Sequence, residues 1–595
     1  MTDFQVYANA VVGASWLSIQ TGRLANRLPV VEHARSPDFA ASTLVKGCKF
    51  TPLLLLRTYP LRCSRRKTGT TEALLRLGLS ESFCEADMRL KTITGAFAVF
   101  LAFCFPVKAQ PLRYDDLSSL PLTEGYLSKQ DTATLKDELL FQRAVQSYLW
   151  AQPALNIFAM KEGSEKLFGK GYNVLPVWKE RLNASTQVTT PNSDVIYAMG
   201  YLDLGKDGPM VLEVPPGLQG ILDDFFQRPI CNPEPSAEKT WYPEPYSKDV
   251  WCGDVGLPGP DKGKGANYLV IPPDYAGEIP KDYIVYKSRT YNVFVFWRAF
   301  FKSPENLSEP VDLITKTKIY PLGKKDNAKP MEFPDGSKVS PNMLYPTDGS
   351  AFDMLSRFIN SEYVDPVDAD MRGMLASIGI IKGQPFSPDP HAREILDKAG
   401  KTAFRIGRAI AYDPPPIVPN TRWYKDRQWV NPFPANTEFT GPSFKYLDLR
   451  TGFFALAYSA SPAMAVNMAG MGAKYPVAFT DSKGDPLSGG KSYKLNLPKD
   501  IPAGIFWSVT VYRPETASAL ANGQPFPSIN TMDRPEANSD GSIDIYFGPE
   551  EPKGHAKNWL KTIPGDGFFA ILRLYGPKQP FFDQTWKPSD LEKIQ

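Results

Sequence analysis

The sequence predicts a mainly β protein in which a small helical module lies between two β domains. Of 595 residues, 56 are proline, 44 are glycine and 12% are aromatic, a composition typical of loop-rich β proteins. Short period-two segments punctuated by Pro and Gly occupy 188–301 and the region after 416, whereas 345–412 has helical periodicity. The balance of 67 Lys+Arg against 64 Asp+Glu gives no electrostatic footprint for a nucleic-acid partner.

A segment well inside the chain has the pattern of a secretory signal peptide. Residues 88–92 carry two basic side chains, an apolar run follows over 93–105, and Ala109 closes a short polar stretch. The run is too short for the roughly 20 apolar residues that span a bilayer. We expect a signal peptide over 88–109, cleaved between Ala109 and Gln110; the alternative is a buried helix. Residues 1–87 are then a non-native upstream extension, or alternatively a genuine leader.

Two of the six cysteines, Cys231 and Cys252, remain after such a cleavage. In an exported chain, two lone cysteines 21 positions apart predict one disulfide rather than a metal site, which needs more ligands than this neighbourhood offers. The expected location is therefore exported, either periplasmic or secreted, and the mature chain is expected to have no transmembrane segment.

The elements follow in order along the expected mature chain. A helix is predicted over 131–161, with Asp131 as N-cap and Pro153 kinking or ending its first part. Strands are predicted over 194–204, 210–214, 268–271 and 283–301, and later over 506–512, 543–547 and 568–575. The predicted domains are an N-terminal helix plus β domain over 110–344, a helical module over 345–415 and a second β domain over 416–595.

Several motifs resemble two bacterial families that occur together. The segments 189–197 (TTPNSDVIY) and 259–269 (GPDKGKGANYL) resemble the domain of unknown function 1254. The segments 506–512 (FWSVTVY), 540–542, 558–560 and 572–577 (LRLYGP) resemble its usual companion, the domain of unknown function 1214. Residues 378–386 (IGIIKGQPF) resemble the helical linker of such two-domain proteins.

This resemblance implies a fold more than an activity. It implies an N-terminal β-sandwich, a helical middle and a C-terminal jelly-roll-like β-sandwich in an exported protein, and it brings no secure reaction. The chain departs from the simpler pattern by inserting the loop between Cys231 and Cys252.

Common catalytic motifs are missing from the sequence. Only three histidines occur, no Gly-x-Ser-x-Gly elbow is present, and neither a P-loop nor a dinucleotide fingerprint appears. These absences disfavour a Ser-His-Asp hydrolase, a typical zinc site and a nucleotide enzyme. We therefore expect no cofactor and no metal, and look for carboxylate, tyrosine and arginine chemistry.

The first candidate cluster lies at the start of the predicted strand 194–204. Asp194 is a candidate general acid or base, Tyr197 is a second candidate catalytic residue, and Asn192 is a candidate ligand-binding group. In an extended chain, Asn192 and Asp194 share a face and Tyr197 points to the other. The alternative is structural, with Asp194 capping a turn and Asn192 satisfying loop backbone groups.

Asp223 and Asp224, followed by Arg228, form a second candidate cluster. Paired carboxylates can divide acid and base roles between them, and on this view Asp224 is catalytic while Arg228 binds the substrate. The alternative is that one of the two adjacent carboxylates faces solvent.

Further candidates for binding follow aromatic strands. Trp297 and Arg298 end one apolar run, and Arg573 interrupts another; an arginine there either recognises an anion or closes a buried ion pair. Five aromatic residues form either a stacking platform for a sugar or core: Trp297, Trp507, Tyr512, Trp559 and Tyr575.

These observations lead to two functional hypotheses. The first is a cofactor-independent enzyme that acts on carbohydrate or another small polar molecule by carboxylate acid/base chemistry. The second is a non-catalytic ligand-binding or envelope assembly module. The expected partner is a small-molecule or glycan ligand. Formation of a homo-oligomer is a further possibility that the sequence does not decide.

Overall fold

The computed structural model describes residues 113–233, 251–415, 417–433 and 436–594. The upstream segment 1–87, the signal peptide 88–109 and its cleavage site between Ala109 and Gln110 lie outside the described residues. The described chain is a mixture of helix and sheet with several antiparallel sheets. The prediction of a mainly β protein therefore holds only in part, because the helices are longer and more numerous than the periodicity indicated.

The described helices range from single turns to a 40-residue rod. They are α1 (Arg113–Ser118), α2 (Lys129–Phe168), α3 (Leu204–Asp207), α4 (Ser308–Ile314), α5 (Ser350–Ser361), α6 (Ala369–Ser377), α7 (Pro390–Tyr412), α8 (Leu447–Leu456), α9 (Pro462–Ala465) and α10 (Gln579–Phe582).

The strands fall into two groups along the chain. The first group is β1 (Leu122–Thr123), β2 (Tyr126–Leu127), β3 (Ile196–Asp203), β4 (Met210–Val214), β5 (Gln219–Asp224), β6 (Asp254–Gly256), β7 (Ala266–Ile271), β8 (Ile284–Lys287), β9 (Asn292–Ala299) and β10 (Lys318–Pro321). The second is β11 (Ala473–Lys474), β12 (Val477–Ala478), β13 (Tyr493–Leu497), β14 (Trp507–Tyr512), β15 (Ser528–Asn530), β16 (Ile543–Gly548), β17 (Trp559–Lys561), β18 (Phe569–Tyr575) and β19 (Glu592–Lys593).

Two sheets of the first group share one hydrophobic core. One sheet has the order β3-β9-β5-β6 and is antiparallel; the other has the order β10-β4-β7-β8, in which β7 and β8 are parallel. Val293, Val295 and Trp297 of β9 face this core, whereas Phe294 and Phe296 face a second core formed with the helices. Because β9 is covered on both faces, all of its residues are buried and its sequence shows no alternation.

The second group of strands repeats this arrangement. Strand β18 pairs with β14, β11 and β12 in one sheet, and β17-β16-β13-β19 form another with a parallel β16–β17 pair. Leu572 and Leu574 of β18 point into the core between these sheets, while Phe569 and Ile571 point to the other face. The outer face of β18 is therefore free to meet the helices and the first group of strands.

Helix α2 is longer than predicted at both ends. Its N-cap is Ser128, whose side chain accepts from the Asp131 backbone, so the prediction of Asp131 as cap was wrong by three residues. The helix also continues through Pro153. Proline removes the N–H that would have bonded to the Leu149 carbonyl. The Thr451 hydroxyl of α8 donates to that carbonyl at 3.1 Å instead, which explains why α2 is not ended there.

We expect Thr451→Val to destabilise the protein by roughly 1–2 kcal/mol, because it leaves the buried Leu149 carbonyl without a donor while the side-chain shape is kept. Thr134→Val is the matched control. Its hydroxyl also bonds to a carbonyl of α2, at Gln130, but on the exposed part of the helix, so a change below about 0.5 kcal/mol is expected. Urea unfolding of both variants measures the difference, and equal losses would refute this role of Thr451.

Cys231 and Cys252 form a disulfide, as the sequence indicates. Of the helices in the described ranges, none is both long and apolar enough to cross a membrane.

Candidate functional site

A cavity of about 120 Å³ lies where the outer faces of β3, β9 and β18 meet helices α7 and α8. Its walls come from parts of the chain that are far apart in sequence, and they share a buried, mostly aromatic or aliphatic character. The lining residues include Thr190, Asn192, Tyr197, Phe296, Arg298, Phe433, Phe453, Tyr458, Met464, Tyr475, Val477, Phe479, Phe569, Ile571, Arg573 and Tyr575. We call this space the arginine cavity.

The polar side chains of the arginine cavity lie together. Tyr197 and Arg298 are directly opposite each other on β3 and β9, so their side chains share a face. The Asn192 amide donates to the Tyr575 hydroxyl at 2.7 Å, which ties the segment before β3 to the end of β18. Arg573 lies two residues before Tyr575 on the same face of β18.

Arg298 is buried without a carboxylate partner. Only 4% of its surface is exposed, its Nε has no hydrogen-bond acceptor, and its Nη2 contacts the Met464 sulfur at 3.7 Å. Its guanidinium lies 5.1 Å from the centre of the Phe296 ring. Within the described residues it forms no ion pair. Arg298 is thus a charged residue in the cavity wall whose Nε is available to donate a hydrogen bond.

Arg573 is equally buried and is held by neutral groups. Its Nη1 donates to the Thr510 hydroxyl at 3.0 Å and its Nη2 to the Thr190 carbonyl at 3.3 Å. The ring of Tyr512 lies 5.5 Å from the guanidinium carbon. These contacts fix its orientation but leave its charge without a carboxylate ion pair among the described residues.

Burial keeps two tyrosines of the arginine cavity, Tyr197 and Tyr575, in the neutral form. Burial raises the pKa of Tyr197 to about 12, although Arg298 and Arg573 act in the opposite direction. Burial likewise holds the pKa of Tyr575 well above its ordinary value. Tyr197, proposed from the sequence as a catalytic group, is therefore suited to donate a hydrogen bond and poorly suited to take up a proton.

The other end of the arginine cavity is apolar. Along one face of β18 the residues change from Phe569 and Ile571 to Arg573 and Tyr575. The segment that runs antiparallel beside it repeats this order, because Val477 is opposite Ile571 and Phe479 lies 5.3 Å from Phe569, ring to ring. The cavity is consequently polar at one end and aromatic or aliphatic at the other.

Asp194 does not line the arginine cavity. It is 1% exposed, and its carboxylate accepts from the Asn530 amide at 2.7 Å and from Arg181 at 3.4 Å. The predicted arrangement of this segment was wrong, since Asn192 and Tyr197 line the cavity together while Asp194 points elsewhere. The reason is that β3 begins only at Ile196, and the Asn192 side chain accepts from the Asp194 backbone in a turn before it.

The Asp224–Arg228 cluster closes a turn. The Asp224 carboxylate accepts from Arg228 Nε at 2.6 Å and from the backbone of Phe226 and Arg228, and Arg228 also pairs with Asp368. The prediction that one of the adjacent carboxylates faces solvent was wrong, because Asp223 and Asp224 are both buried on opposite faces of β5.

Asp223 is engaged elsewhere. It accepts from the Ser459 hydroxyl at 2.7 Å and from the Ala460 backbone, and burial raises its pKa well above the ordinary range. Asp223 and Asp224 therefore act on separate neighbours, which does not support the predicted division of acid and base roles.

Trp297 lies in the core between the two N-terminal sheets, not at the arginine cavity. Its ring packs over Gly220, where an added Cβ would lie 2.2 Å from the ring. Of the aromatic set proposed as a stacking platform, Tyr575 alone is among the residues that line the cavity. Tyr475 and Met464 also line the cavity, and no local pattern singles them out because they follow a stretch without regular periodicity.

Lys474 is buried beside the arginine cavity. It is 2% exposed, and its ammonium donates to the carbonyl of Met464 at 3.0 Å. Burial lowers the pKa of this lysine to about 7. The charge of Lys474 is thus removed in the folded state at a pH where the unfolded chain still carries it.

This difference predicts a pH-dependent effect of Lys474→Met. Between about pH 7 and pH 10 the unfolded wild type binds the proton and the folded form does not, so wild-type stability rises with pH relative to the variant. The gain is at most about 1.4 kcal/mol per pH unit. Urea unfolding from pH 6 to 9.5 measures it, with exposed Lys398→Met as control. A constant difference between wild type and Lys474→Met over that range would contradict the lowered pKa.

Within the described residues, no group of three or more His, Cys, Asp or Glu side chains is arranged to hold a metal ion.

Two family models match the chain, and residues from both matched ranges line the arginine cavity. Residues 172–321 match a protein family of unknown function, DUF1254, and residues 472–579 match another, DUF1214, in that order. Asn192, Tyr197 and Arg298 lie in the first match, and Arg573 and Tyr575 in the second. The polar end of the cavity is therefore composed of residues from both matched regions.

Two solved structures are similar to the chain. The VPA0106 protein from Vibrio parahaemolyticus is 18% identical with a TM-score of 0.44, and the match covers 77% of this chain and 100% of that one. An uncharacterized protein from Burkholderia cenocepacia is 12% identical with a TM-score of 0.34, covering 78% and 97% respectively. No curated protein matches the sequence.

Proposed function

We propose that the protein binds a small organic anion in the arginine cavity. The observation that carries this proposal is Arg298, a 4% exposed cation with an unpartnered Nε and no carboxylate partner among the described residues. A charge buried without an ion-pair partner costs several kcal/mol. An anion bound between Arg298 and Arg573 offsets that cost through charge-assisted hydrogen bonds.

Binding explains the cavity better than carboxylate acid/base chemistry does. The described residues that line it include two arginines and several tyrosines but no Asp, Glu or His. Asp194, the expected acid or base, is instead occupied by Asn530 and Arg181. Of the two hypotheses from the sequence, we therefore propose ligand binding, since no described residue that lines this cavity supplies the carboxylate of the expected acid/base chemistry.

The paired sheets support the finer description of the fold that the resemblance implies. Each pair shares one core, as two stacked sheets of a β-sandwich do. We include in the proposal an N-terminal sandwich within 110–344 and a jelly-roll-like sandwich within 416–595, with the helices of 345–415 between them in sequence.

We also propose that the protein works outside the cytosol. The Cys231–Cys252 disulfide supports an oxidising compartment, and residues 88–109 have the composition of a signal peptide. Sequencing the N-terminus of the protein recovered from its native host is expected to give Gln110 as the first residue. A chain that begins upstream of residue 88 would contradict both the cleavage and the interpretation of 1–87.

The binding proposal is tested by thermal unfolding in the presence of paired ligands. Each small carboxylate, sulfonate or phosphate monoester is compared with its neutral amide, sulfonamide or alcohol at the same concentration. A ligand that binds the folded state raises the melting temperature, so we expect a rise with at least one anion class and none with its neutral partner. Equal effects of anions and neutral partners, or none with any, would refute the proposal.

A further inference from the structure

The size and the lining of the arginine cavity also indicate which class of anion binds there. Resting on the proposed binding function, we infer that the ligand is a monocyclic aromatic carboxylate of about the size of benzoate. Three features carry this inference: the volume of the cavity, the aromatic side chains in its walls, and the spacing along β18 between the apolar end and Arg573.

The volume limits the ligand to one ring. The arginine cavity encloses about 120 Å³, and an apolar protein cavity of about 150 Å³ is known to hold a single benzene molecule. The space is therefore no larger than one six-membered ring, with the carboxylate at its polar end. A second fused ring, a disaccharide or a long acyl chain exceeds it. A planar carboxylate is also smaller than a tetrahedral phosphate or sulfonate, so it leaves more of the volume to the ring.

Aromatic side chains from four elements of the chain line the arginine cavity. They are Phe433 of the segment before α8, Phe453 of α8, Phe479 after β12, and Phe569 of β18. The rings of Phe433 and Phe453 lie 4.4 Å apart at an angle of 47°, and those of Phe479 and Phe569 lie 5.3 Å apart at the same angle. Tilted rings present both edges and faces, which gives an aromatic ligand favourable contacts beyond burial alone.

The spacing along β18 matches the length of the ligand. Residues two apart on a strand are about 6.6 Å apart, so a carboxylate bound at Arg573 places an attached ring beside Ile571 and its cross-strand partner Val477. Arg298 lines the same cavity and its Nε has no acceptor of its own, so we expect it to bind the other oxygen of the carboxylate. An anion without a ring leaves the apolar end unfilled, and a ring without an anion leaves Arg298 unpaired.

Isothermal titration of the full-length chain with five probes tests this inference. The probes are benzoate, benzamide, acetate, 2-naphthoate and phenyl phosphate. We expect benzoate to bind at least about tenfold more tightly than acetate, since it buries a ring, and about 100-fold more tightly than benzamide, since it pairs the arginines. 2-Naphthoate and phenyl phosphate are expected to bind at least tenfold more weakly than benzoate.

The outcomes separate this inference from the proposed function. If 2-naphthoate, acetate or phenyl phosphate binds as tightly as benzoate and Arg298→Met abolishes that binding, the ligand class is wrong and the anion site stands. If no anion binds, or if Arg298→Met binds every anion as the wild type does, the proposed function fails as well. Arg405→Met, which changes an exposed arginine on α7, is the matched control and is expected to bind benzoate like the wild type.

Discussion

Asp194→Asn is expected to lower the free energy of unfolding by about 3 kcal/mol, because it breaks a buried ion pair and leaves donors facing donors. The Asp194 carboxylate is fully buried and accepts from Arg181, from the Asn530 amide and from Ser528. An asparagine there keeps the shape, but its amide nitrogen is a donor like its neighbours, and Asp533 is then the one carboxylate left to Arg181 among the described residues. Urea unfolding of wild type and variant at pH 7.5 gives the difference.

Asp353→Asn is the matched control for that measurement. Asp353 also pairs with an arginine, Arg393, at 2.6 Å, but both side chains are about 40% exposed, and such surface pairs contribute less than about 1 kcal/mol. We expect the control to be nearly neutral. If Asp194→Asn is as mild as Asp353→Asn and instead abolishes a turnover, Asp194 is a catalytic residue and its structural role as described above is wrong.

Arg298→Met is expected to weaken anion binding by at least about 100-fold while leaving the stability of the unliganded protein unchanged or increased. Methionine has a similar length and keeps the contacts with Phe296 and Met464, but it removes the charge and the unpartnered Nε. Replacing a buried unpaired charge by an apolar side chain removes its desolvation cost. Titration with benzoate measures the loss of affinity, and urea unfolding without ligand measures the stability.

The pair of results distinguishes a binding arginine from a structural one. A structural arginine would lose stability on substitution, by several kcal/mol if its contacts were needed for folding. A fall of that size in Arg298→Met, with benzoate affinity unchanged, would assign Arg298 to the fold and remove the basis of the proposed function. Arg405→Met is expected to leave both quantities near the wild-type values.

Several residues of the arginine cavity could be singled out from the sequence, but their proximity in space could not. Asn192 and Tyr197 stood out near a strand start, and Arg298 and Arg573 stood out as charges in apolar runs; all four line the cavity. A polar residue within a buried strand is detectable from the local pattern alone. Which of these residues meet is not, because the Asn192–Tyr575 hydrogen bond joins positions 383 residues apart.

Two further features could not be predicted from local sequence patterns, because each depends on a hydrogen-bond partner that is far away in the sequence. Helix α2 continues through Pro153 since Thr451, about 300 residues later, supplies the missing donor to Leu149. The role of Asp194 depends on Asn530, which is more than 300 residues away. Strand β9 gave a continuous apolar run, and only its two covered faces explain why Trp297 is core while Arg298 reaches the cavity.

The most direct test of the central claim is a crystal structure of the protein with benzoate, compared with unliganded crystals of the same form. We expect difference density for the ring at the apolar end of the arginine cavity, near Phe479 and Phe569, with the carboxylate within hydrogen-bonding distance of Arg298 and Arg573. Benzoate bound outside the cavity, or with its carboxylate directed away from both arginines, would contradict the proposal.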